Sequence, residues 1–122
     1  MMDDNPNLAA WRANVTAKAR GAWGVDRPPL DAPVIATALF YLPRPKGHYG
    51  TGRNAGILKD SAPLYPTVKP DLDKLVRAVF DSLKDAGVWR DDALCIGLGG
   101  SAKFYADAVE PGLTLTLDWG TP

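Results

Sequence analysis

The sequence holds one cysteine and one histidine in 122 residues. A lone cysteine excludes an intrachain disulfide. Cys95 lies in the apolar run Leu94-Cys95-Ile96 and reads as a small core residue, which suits a reducing cytoplasm. One histidine and one cysteine in unrelated contexts leave no Ser-His-Asp or Cys-His nucleophile set and no zinc pattern. No apolar run approaches the roughly 20 residues of a membrane span. The start, Met1-Met2-Asp3-Asp4, is acidic, so no signal peptide and no membrane partner are expected. Gly50-Thr51-Gly52 is not followed by Gly-Lys-Ser/Thr, so no nucleotide cofactor is expected. Neither charge sign is in excess, with 14 Lys+Arg against 14 Asp+Glu.

The zero balance hides an uneven distribution. Residues 44–77 carry seven basic side chains against three acidic ones, and residues 78–122 carry three against seven. A balanced chain argues against a nucleic-acid binder, because phosphate contacts need cations. A basic middle argues for one. Composition is otherwise that of a globular chain, 46% hydrophobic and 23% charged, and the length suits one domain over residues 1–122.

Residues 1–24 read as a helix. Asn5 is a candidate N-cap, Pro6 a good first residue, and Leu8, Trp11, Val15 and Ala19 form its apolar stripe. Arg12, Lys18 and Arg20 read as solvated. After a proline-rich connector, Val34–Leu42 reads as a strand, apolar on both faces as a central strand is. Residues 43–69 show no periodicity, only prolines, glycines, cations and aromatics. A loop this long in a small domain is usually functional. Its Lys46, Arg53, Lys59 and Lys69, with Lys74 beyond and Arg44 in the same basic strip, are expected to hold DNA, while a mobile surface loop whose lysines only keep it solvated is the other reading. His48 reads as a plain polar contact. Ala93–Leu98 and Ala102–Tyr105 read as strand on either side of Gly99-Gly100, and Lys103 reads first as solvent-facing, with reach toward DNA or the aspartates as the alternative. Pro111-Gly112 marks a turn. Leu113-Thr114-Leu115-Thr116-Leu117-Asp118-Trp119 alternates, so a last strand is expected to return antiparallel to its predecessor.

The chain is organised around Lys69–Lys84 and its sequel Val88–Asp92. Pro70 bars helix before it, Asp71 suits an N-cap, and Gly87 supplies the stop. Leu72, Leu75, Val76, Val79, Phe80 and Leu83 recur at helical spacing, with Asp73, Arg77 and Lys84 beside that stripe. Asp71 and Asp73 then stand at the helix entrance, and Asp91 and Asp92 precede the next apolar run. Carboxylates from both places can meet if helix and strand pack side by side, and would suit a hard metal. An ordinary acidic helix start and a polar turn explain the same residues, so spacing alone leaves both readings open.

The strings Lys69-Pro70-Asp71-Leu72-Asp73-Lys74-Leu75, Phe80-Asp81-Ser82-Leu83 and Gly87-Val88-Trp89-Arg90-Asp91-Asp92 resemble the signature of the RusA family of Holliday-junction resolvases. The resemblance covers residues 34–119. It implies an α+β fold with a small mixed or antiparallel sheet packed against two helices. It implies a homodimeric, magnesium-dependent endonuclease acting on branched DNA in recombination and repair, with manganese able to substitute. Matched by position, the metal-binding carboxylates are Asp71, Asp73 and Asp92, with Asp91 adjacent. Arg77 stands where the family often has a functional lysine. It keeps the charge but cannot donate a proton at ordinary pH, so a catalytically impaired DNA-binding protein on the same fold is the alternative. Family members usually open with a strand before the first helix, and this chain is expected to lack it.

Overall fold

The computed structural model describes residues 6–120. Helix α1 spans Pro6–Trp23, strand β1 Val34–Leu42, helix α2 Leu72–Asp85, and strands β2, β3 and β4 span Cys95–Gly97, Ala102–Tyr105 and Gly112–Trp119. The expected N-cap, Asn5, lies outside the described residues.

Strand β1 is the centre of the sheet. On one side it pairs in parallel with β2 through Val34↔Cys95 and then with β3 from Leu39↔Ala102 to Leu42↔Tyr105. Strands β2 and β3 thus act as one interrupted strand. At the interruption, the Ala38 N–H donates to Ser101 Oγ at 2.9 Å, so a side chain replaces the missing ladder partner. On its other side β1 pairs antiparallel with β4 along Val34↔Trp119 to Tyr41↔Gly112. As expected, β4 returns antiparallel to its predecessor. It runs opposite to β3 but does not pair with it. The connection through Pro111 crosses the end of β1 and sets the two strands on opposite sides. A nine-residue apolar β1 offers a long ladder on both edges, which outweighs the local turn.

Both helices cover one face of this sheet. Val34, Ala36, Ala38 and Phe40 of β1 are buried there against Leu75, Val76, Val79 and Leu83 of α2, with Trp11, Ala19 and Trp23 of α1 and Leu113, Leu115 and Leu117 of β4 packed around them. Trp119, expected in the core, is nearly half exposed. It packs edge-on against Trp23, whose other neighbour is the Arg27 guanidinium. The two helices are tied by charge as well. Arg12 pairs with Asp81 and Asp85, and Arg20 donates to the Asp85 carbonyl at 2.7 Å, at the negative end of α2. These arginines were expected to be solvated. They are partly committed to α2. Among the described residues no helix covers the opposite sheet face, and Ile96 on it is 70% exposed.

Helix α2 follows its sequence pattern closely. Leu75, Val76, Ala78, Val79, Ser82 and Leu83 are buried, while Leu72 and Phe80 are half-buried. Ser82 is polar yet fully buried because its hydroxyl donates to the Ala78 carbonyl at 2.8 Å. Gly87 takes φ 79°, the left-handed conformation that ends the helix. The chain then turns through Val88 and Trp89. Both are buried, and Val88 O accepts from Leu30 N at 2.7 Å.

Candidate metal centre and the long basic loop

Asp71 is the residue before the first turn of α2, with extended backbone at φ −71° and ψ 141°. Its carbonyl accepts from Leu75 N at 3.1 Å, as an N-cap residue's should. Its carboxylate makes no capping hydrogen bond. The side chain is half exposed, and its one ionic neighbour among the described residues is Lys74 Nζ at 3.9 Å. An acid at an N-cap that does not cap keeps its oxygens for other contacts. Asp73 stands exposed in the first turn and accepts from the Lys74 N–H at 2.9 Å. Arg77 is exposed one turn on.

The second carboxylate pair lies beyond Trp89. That indole is 1% exposed, stacks edge-on against Phe80 at 5.1 Å, and donates to the Phe80 carbonyl at 3.3 Å. It fixes how the chain leaves α2. Asp91 then caps a single 3-10 turn, Asp92–Leu94, accepting from Ala93 N at 2.9 Å, and this turn packs against α2. That backbone hydrogen bond, then one shared with Asp92, holds the Asp91 carboxyl below its ordinary range. The expected strand Ala93–Leu98 shrinks to Cys95–Gly97 because the Asp91 cap bends the chain first.

The donor chemistry fits a hard divalent cation, with exposed carboxylates at the start of α2 and in the turn that packs against that helix, and with the Asp71 carboxylate not used as a cap. The fit is chemical rather than a closed cage. Among the described residues no three carboxylate, histidine or cysteine groups are gathered into one metal cluster. Asp71 and Asp73 form one pair, and Asp91 and Asp92 form the other.

Residues 43–69 are ordered, although the sequence shows no periodicity there. Two 3-10 turns, Lys46–His48 and Gly52–Asn54, are joined by bridges Tyr49↔Leu58 and Gly50↔Ala55. A Cβ on Gly50 would lie 2.7 Å from Asn54 Cβ, so only glycine allows this fold-back. Lys46 and Lys59 line one open hollow of about 560 Å³ with Tyr49 between them. Arg53 and Lys69 are exposed, and Lys74 is turned toward Asp71.

Two cations read otherwise in the sequence anchor this loop instead. Arg44 is not a free phosphate ligand. Its side chain is 2% exposed, pairs with Asp107, donates to Pro63 O at 2.7 Å and lies 4.2 Å over the Tyr105 ring, while His48 stacks edge-on against the same ring. Lys103 does not face solvent. Its ammonium donates to Val68 O at 2.6 Å and Pro70 O at 2.9 Å. Strand alternation carried a clue, since Lys103 shares a face with buried Tyr105.

No helix among the described residues is long and apolar enough to cross a membrane. No curated protein matches the chain. A family model described as endodeoxyribonuclease RusA matches residues 1–118. The match spans both carboxylate pairs and the anchored loop, and the chain belongs to the RusA endodeoxyribonuclease family.

Proposed function

We propose that this protein is a magnesium-dependent, structure-selective endonuclease that resolves Holliday junctions or other branched DNA as a homodimer, in recombination and repair. The observation that carries the reading is Asp71. It occupies the cap position of α2 without spending its carboxylate there, two residues before Asp73 in the first turn of the helix. A structural cap would use that oxygen.

In this reading Asp71, Asp73 and Asp92 hold the metal, assisted by Asp91. A bound magnesium ion, or manganese in its place, supplies an activated water and neutralises charge on the scissile phosphate. The residues of the chain do the rest. Lys46, Arg53, Lys59 and Lys69 bind the DNA backbone, with the Lys46–Lys59 hollow open to a phosphate. Lys74 and Arg77 stand on the exposed side of α2, where they steady negative charge on the phosphoryl oxygens. Arg77 acts by charge alone and moves no proton.

The test is a nicking assay on four-way junctions and on linear duplex of the same sequence, with and without magnesium. Metal-dependent cutting near the branch, absent on linear DNA, is expected. Junction binding with no cutting in magnesium or manganese would instead identify an impaired binder.

A further inference from the structure

Lys103 stands in register with Phe40 of β1, so it lies on the helix-covered face of the sheet. A charged group on that face needs partners in place of lost water. It has two, the carbonyls of Val68 and Pro70, and both belong to the three residues that lead into Asp71. The Pro70 carbonyl shares a peptide plane with the Asp71 amide. Fixing that plane sets the backbone on the near side of Asp71. The Asp71 carbonyl, bonded to Leu75 N, sets it on the far side. The direction of the Asp71 Cα–Cβ bond follows from these two constraints. Its ion pair with Lys74 is long and exposed, and such pairs orient little.

We infer that Lys103 is a positioning residue for Asp71, holding the carboxylate in its ligating direction through the Val68 and Pro70 carbonyls without touching metal or DNA. Methionine of similar length would fill the space and leave both carbonyls without that donor. Arginine keeps the donors but displaces them. The inference rests on the metal-site reading, because it assigns Lys103 a role toward a ligand of that site.

The experiment compares Lys103→Met, Lys103→Arg and Lys103→Gln with the full-length chain. The first readout is manganese binding by calorimetry. Lys103→Met should weaken it by roughly tenfold or more, the usual range for groups that orient a metal ligand. Lys103→Arg should recover part of the loss. In an Asp71→Asn background Lys103→Met should add nothing, because the ligand it positions is already disabled. The half-saturating magnesium concentration for cutting should rise with kcat at saturation changed less, and metal-free junction binding should hold. If Lys103→Met does not fold, Lys103→Gln, which retains one donor group, carries the same comparison. Wild-type metal affinity in a folded variant, or an undiminished loss in the Asp71→Asn background, would overturn the inference. A wild-type chain that binds no manganese sinks the metal-site reading instead. Amide chemical shifts then decide the positioning claim alone. Displacement of Asp71 and Leu72 resonances by Lys103→Met supports it, and unmoved resonances reject it.

Discussion

Arg44 and Asp107 face each other through two hydrogen bonds, Nε to Oδ1 at 2.7 Å and Nη2 to Oδ2 at 2.9 Å. The pair joins the start of the long loop to the chain just past β3. With Lys103 at the other end, β3 and its flank hold both ends of residues 43–70. A Gly- and Pro-rich stretch is thereby presented as a shaped surface.

Acid should release the first of these ties. The hydrogen bonds from Arg44, then its charge, hold the Asp107 carboxyl below its ordinary range. A group whose folded pKa is depressed stabilises the fold above its unfolded pKa, and that stability fades as pH falls through the folded value. The loop anchor should be intact at neutral pH and lost only below the usual carboxylate range. Asp107→Asn should remove this acid-dependent step and speed proteolysis within residues 43–70 at neutral pH. Equal proteolysis rates in mutant and wild type would show that the pair does not hold the loop.

Phosphate binding should fall to the exposed cations, not to Arg44. Each phosphate contact contributes about 0.9 to the slope of log affinity against log salt. The double variant Arg53→Ala, Lys59→Ala should flatten that slope by roughly 1.8 if both residues hold phosphates. Arg44→Met should act through loop order, lowering affinity with less change in slope. A salt titration of junction binding that gives the wild-type slope for the double variant would clear the loop of this role.

Trp89 is buried against Phe80 just before Asp91 and Asp92, and its substitution should be felt in both stability and cutting. Trp89→Phe loses buried volume and the hydrogen bond to Phe80 O. The expected cost is about 1–3 kcal/mol in stability, with a larger drop in metal-dependent cutting than in junction binding. Thermal unfolding and a cutting assay on the same preparation check this. Cutting and binding reduced in equal proportion would assign Trp89 to the core alone.

The borders of β1 and the course of α2 were readable in the sequence because their patterns are local. Nine residues between Pro33 and Pro43, all but Thr37 apolar, define one, and a 3.6-residue stripe between Asp71 and Gly87 defines the other. The placement of β4 was not readable. Pro111-Gly112 signals a turn, but nothing local says that β1 enters between the strands it joins. The roles of Arg44 and Lys103 were hidden for the same reason. Each meets partners distant in the chain, and a cation in a loop or strand reads as exposed until the fold supplies a carboxylate or a carbonyl. At the site, the position of Asp71 was legible, whereas its unused carboxylate is a property of side-chain direction that spacing does not encode.

A homodimer is expected on symmetry grounds. A four-way junction needs two paired cuts, and one chain offers one set of these carboxylates, so a two-fold pair presents the set twice. Among the described residues the outer edge of β4 is unpaired, and the sheet face bearing Ile35 and Ile96 is uncovered. Sedimentation should show a dimer at working concentration. Monomer alone, with and without junction DNA, would reject this.

Asp73 is where the metal reading and the ordinary helix reading diverge most. It lies exposed in the first turn of α2, near Asp71 and on the flank of Arg77. Asp73→Asn keeps the shape and removes one negative charge. If the carboxylates form a ligand set, the metal-free protein loses a repulsive neighbour. It should be as stable as wild type or more so. Magnesium binding should weaken and cutting should vanish, while junction binding holds or tightens because less negative charge faces the phosphates. If Asp73 only complements the helix dipole, the opposite pattern follows. Stability falls by roughly 0.3–1 kcal/mol and cutting is largely kept. Thermal unfolding without metal and magnesium-dependent cutting, measured on one preparation, separate the two. A destabilised variant that still cuts would remove Asp73 from the ligand set.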